Sequence, residues 1–150
     1  MLKAAIFFAS IVSISTHSGA ASPVVDDVVA SSAQCLQLAD KKGVSLLALT
    51  GAGWQREVDG SYGHPQRASH IKLPADDDGV NRICVVLAAP LSKADQKDLS
   101  KALSRLLKSG AMKQSDSEIW MIKLRGTRGL QLYHSNSDGS PVTRVIAAQF

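Results

Sequence analysis

Ile83-Cys84-Val85-Val86-Leu87-Ala88 is apolar at every position. Such a run predicts a strand covered on both sides, at the heart of a sheet. Just before it, residues 69–73 alternate: Ile71 and Leu73 take one face, His70 and Lys72 the other, as in a half-exposed strand. Residues 54–58 have strand character and lead into the turn signal Asp59-Gly60. After it, residues 118–124, 130–134 and 142–149 are three further strand candidates, parted by Gly126-Thr127-Arg128-Gly129 and by Asp138-Gly139.

Helical periodicity lies on both sides of the apolar run. From Val24, the residues Val25, Val28, Val29, Ser32, Leu36 and Ala39 recur at three- and four-residue steps. Asp26 and Asp27 favour the start of that helix, and Lys41-Lys42-Gly43 is expected to close it. A short second helix is expected over 44–49, ending at Gly51. The third is announced by Pro90 and Ser92, with Asp95 completing an approximate capping box, and it ends at Lys108 and Gly110. The order is helix, helix, three strands, helix, three strands. Strands joined by short turns pair antiparallel. The prediction is one α+β domain: a mainly antiparallel sheet of five or six strands, with two N-terminal helices and one central amphipathic helix on one face.

Residues 1–20 read as a cleavable secretory signal. Lys3 is its positive region, 4–14 its apolar core, and Ser18-Gly19-Ala20 the small residues before cleavage. The apolar core is too short for a membrane span, which needs roughly 20 residues. No later stretch is long enough either, so no transmembrane segment is expected. The mature domain is 21–150, and removal of Lys3 takes the formal charge from +4 to +3. That is too little for a strongly cationic nucleic-acid binder. The expected location is a periplasm or the cell exterior.

In an oxidising compartment the two cysteines, Cys35 and Cys84, predict a structural disulfide. It would pin the first helix to the central strand and turn Cys84, Val86 and Ala88 toward that helix. With both thiols consumed, neither is a nucleophile.

No motif names a reaction. His64, His70 and Asp76-Asp77-Asp78 invite a metal reading, but no helical spacing sets two ligands on one face. The same acidic turn fails as a calcium loop, because Pro74 and Val85 stand where carboxylates are required. A triad from Ser61, His134 and an Asp can be written but has no local signature. No catalytic residue, metal or cofactor is therefore expected.

The sharpest surface feature is a basic stripe on the third helix. Lys93, Lys97, Lys101, Arg105 and Lys108 fall within an arc of about 120°, opposite Leu99, Leu103 and Leu106. Its natural partner is an acidic protein or another anionic envelope component. Tyr62, beside Gly63 and Pro65 in the longest interior loop, is expected to be an exposed contact. The functional expectation is an exported binding protein, an inhibitor or envelope accessory factor, using the basic face. The alternative is a small hydrolase using one of His64, His70 or His134.

Overall fold

The computed structural model describes residues 22–123, 127–135 and 142–149. The expected signal at 1–20, the turn at Asp138-Gly139 and the C-terminal Phe150 lie outside the described residues.

Helix α1, Pro23–Leu38, begins with proline in its first turn, where no intrahelical N–H is lost. It buries Val25, Val28, Ser32, Cys35 and Leu36, the expected face. It stops at Leu38, before Lys41-Lys42-Gly43, and carries no basic residue in its last turn. The cation at its C-terminus comes instead from Arg128, whose Nη1 donates to the carbonyls of Leu36 and Gln37. That side chain is buried, and a guanidinium there complements the dipole of the last turn. Helix α2, Leu46–Gly51, is capped by Ser45 and contributes only Leu49 to the core. Helix α3, Lys93–Leu107, has the expected cap: Asp95 N–H donates to Ser92 Oγ at 3.1 Å. Lys108 ends it in the left-handed conformation.

The strands are β1 Gln55–Arg56, β2 Tyr62–Gly63, β3 His70–Lys72, β4 Cys84–Ala88, β5 Met112–Lys113, β6 Ser117–Lys123, β7 Thr127–Ser135 and β8 Val142–Gln149. They form one antiparallel sheet in the order β1-β2-β3-β4-β8-β7-β6-β5. The fold is α+β, with eight strands where five or six were expected. The additional strands, β2 and β5, are two residues each. Segments that short carry no alternation and exist because a neighbour supplies their hydrogen bonds.

The register sorts the sheet into two faces. Trp120, Leu130, Ala147 and Cys84 share one row, and Leu132, Val145, Val86, Ile71 and Tyr62 the next. All nine are buried on the side where α1 and α3 lie. Tyr62 is thus 7% exposed and part of the core, not a loop contact: pairing between β1 and β3 turns its ring inward. The opposite face of β4 is only half-buried at Val85 and Leu87, so the expectation of cover on both sides is corrected. The apolar run meets helices on one face and half-buried neighbours such as Ile146 on the other.

Cys35 and Cys84 form a disulfide joining α1 to β4, with Cα atoms 5.3 Å apart. Cys84, Val86 and Ala88 face the helix, as expected from the pair. Among the described residues no helix is long and apolar enough to cross a membrane.

Candidate functional site

Between α3 and the β5–β6 hairpin, at one edge of the sheet, lies a cleft of about 580 Å³. Its long wall is the first half of α3, which contributes Lys93, Gln96, Lys97, Ser100 and Lys101. The facing wall is the hairpin from Lys113 through Glu118, and the floor is Leu132 and His134 of β7. The sequence builds this locally. Ser92 fixes the first turn of α3, and apolar residues at Leu99 and Leu103 bury one side. The lysines at four-residue steps are then left on the side that overhangs the sheet edge. Gln114 N–H donates to the Ser117 carbonyl at 2.8 Å, closing a tight hairpin around Ser115 and Asp116.

Cations dominate the lining. Lys101 pairs with Asp98 at 3.4 Å, and Lys113 meets Glu118 at 3.9 Å. Neither Lys93 nor Lys97 has a carboxylate at ion-pair distance among the described residues. His134 Nδ1 lies 3.5 Å from Thr143 Oγ1. Loss of hydration lowers the His134 pKa below its ordinary value, and the Glu118 carboxylate pulls it back in part. The cleft therefore offers unpaired ammonium groups and a mostly neutral imidazole to an anionic guest near neutral pH.

Of the five stripe residues, the fold brings Lys93, Lys97 and Lys101 together on the cleft and leaves two outside it. Arg105 is exposed in the last turn of α3. Lys108 instead lines a smaller apolar groove with Leu36, Leu106, Leu107 and Ile122. Sequence reasoning missed Lys113, whose signal was the polar hairpin turn between Met112 and Ile119.

The histidines do not converge. His64 packs its ring against Trp54, with centroids 5.4 Å apart. Gly53, at φ +91°, leaves room for it, since a Cβ there would stand 2.8 Å from His64 Nε2. His70 pairs with Glu57 at 3.0 Å on the other face of the sheet. Asp76 and Asp78 both hold Arg82, and its hydrogen bonds lower the Asp78 carboxyl to about 2. The imagined meeting of His64, His70 and the acidic turn is thus not formed. Ser61 and His134 are kept apart by the strand order as well. The serine precedes β2 and the histidine sits on β7, four strand spacings away, roughly 19 Å. Among the described residues no group of three or more His, Cys, Asp or Glu side chains is arranged to hold a metal ion.

No protein-family model, no curated protein and no solved structure matches this chain.

Proposed function

We propose that this is an exported, non-enzymatic binding protein that holds an acidic segment of another protein in the cleft between α3 and the β5–β6 hairpin. The observation that carries the reading is the convergence of Lys93, Lys97, Lys101 and Lys113 on one concave surface, two of them without a carboxylate partner. A solvated helix face has no need of an opposing wall with its own lysine. Concavity concentrates the field of these charges and lowers the cost of desolvating a guest carboxylate. The disulfide accords with export, and the inhibitor or envelope accessory roles both fit a site of this kind.

A hydrolytic use of His134 is the second reading, favoured by its place on the cleft floor. Its hydroxyl neighbour, Thr143, is 1% exposed and so orients the ring more readily than it meets a substrate. The test is titration of a polyglutamate peptide by calorimetry. The double variant Lys97→Glu, Lys101→Glu is expected to weaken binding roughly 30-fold, since each reversal replaces an attraction by a repulsion. Equal affinity for the wild type and the variant contradicts the proposal.

A further inference from the structure

The cleft opens on a free strand edge. In the β5–β6 hairpin, the Gln114 to Ser117 bond and the register Met112 opposite Ile119 direct the polar backbone of residues 112 and 114 toward β6. The N–H and C=O of Lys113 therefore point out of the sheet, and no backbone hydrogen bond among the described residues engages them. Lys113 also stands opposite Glu118 in register, so its side chain rises on the helix side and lines the cleft.

A strand laid beside β5 would place the residue opposite Lys113, and those two positions to either side, on that same face beneath α3. Helix α3 follows the direction of β6. Lys97 and Lys101 lie with Glu118 on the cleft, Ser104 accepts from Trp120 Nε1 at 3.0 Å, and Leu107 shares a groove with Ile122. The lysine row accordingly runs along the edge. Lys93, Lys97 and Lys101 repeat at roughly 6 Å along the helix. Alternate side chains of an extended chain repeat at roughly 6.7 Å. Over three positions the two rows drift by less than the reach of a lysine.

We infer that the acidic partner enters as an extended segment that adds to the β5 edge as a ninth strand. Its alternate carboxylates lie against Lys93, Lys97 and Lys101. The inference rests on the cleft reading and adds main-chain pairing to it, the mode in which backbone bonds give affinity and side chains give specificity. Lys113 at the edge also disfavours a basic strand.

The probe is an eight-residue peptide alternating Glu and Thr, titrated into the oxidised protein. Paired antiparallel, like every other neighbour in this sheet, the added strand turns the N–H groups of its Glu residues toward β5. N-methylation of the Glu residues is therefore expected to weaken binding about tenfold or more, and N-methylation of the Thr residues to leave it within about twofold. On the protein side, Lys113→Pro removes the outward N–H at an edge that tolerates proline, and Lys113→Ala serves as the charge control. The proline variant should bind clearly more weakly than the alanine one. Equal binding of the two N-methylated peptides, with Lys97→Glu, Lys101→Glu still impaired, overturns strand addition and leaves the cleft reading standing. If neither the alternating peptide nor polyglutamate binds, the cleft reading falls and this inference with it.

Discussion

His134 is acted on by two opposed influences, and their order can be measured. Partial burial on the cleft floor disfavours the imidazolium, and Glu118 favours it more weakly. The folded protein therefore resists protonation, while the unfolded chain takes up its proton near the ordinary value of 6.5. The unfolded state binds more protons in that window, so this residue's contribution to stability is lost as pH falls from 6.5 through the folded-state pKa. A proton NMR titration should place the His134 midpoint below 6.5, and Glu118→Gln should lower it further. A midpoint above 6.5 would show that the carboxylate dominates, and a rise in the variant would show that Glu118 does not favour the imidazolium. Legibility at this scale was uneven. Ser92 and Asp95 announced their cap because both partners lie three residues apart. Tyr62 was misplaced because its burial depends on β1 and β3, which loop composition does not encode.

At the scale of elements, the end of α1 depends on a residue far along the chain. Arg128, on β7, donates to the carbonyls of Leu36 and Gln37, more than ninety positions away. A local reading assigned that task to Lys41 and Lys42, the nearest cations. Sheet pairing brings Arg128 closer, on the same face as Leu130 and Leu132. Arg128→Met keeps most of the side-chain bulk but leaves two helix carbonyls without their charged donor. It is expected to cost about 2–3 kcal/mol in urea unfolding. A change below about 0.5 kcal/mol would mean that water replaces the guanidinium without penalty. The two-residue strands β2 and β5 were illegible for a related reason: pairing alone defines them. The long helices α1 and α3 were legible because each carries enough periodicity to mark its buried face, whereas β4, apolar at every position, took its facing from Cys84.

At the scale of the whole molecule, the disulfide and the cleft set the two main expectations. Cys35 and Cys84 close a loop of 49 residues between α1 and β4. The chain-entropy model assigns such a loop about 4 kcal/mol. A domain's net stability is only roughly 5–15 kcal/mol, so the paired substitution Cys35→Ala, Cys84→Ala should lower the urea midpoint markedly. A shift within experimental scatter would mean that the remaining core suffices. The cysteine pair was the most legible long-range contact in the chain, since compartment and count together left one pairing. The cleft was legible only by half. Three of its lysines announced themselves on α3, whereas Lys113 joins them through the hairpin, and Arg105 and Lys108 turn elsewhere.

The central claim is that this concave surface, and not net charge, holds an acidic guest. Calorimetric titration of polyglutamate into two charge-matched double variants tests it most directly. Lys97→Glu, Lys101→Glu alters the cleft, and Arg105→Glu, Lys41→Glu makes the same change in charge outside it. The first is expected to lose roughly 30-fold in affinity and the second to stay within about threefold of the wild type. Equal losses in both variants would contradict it.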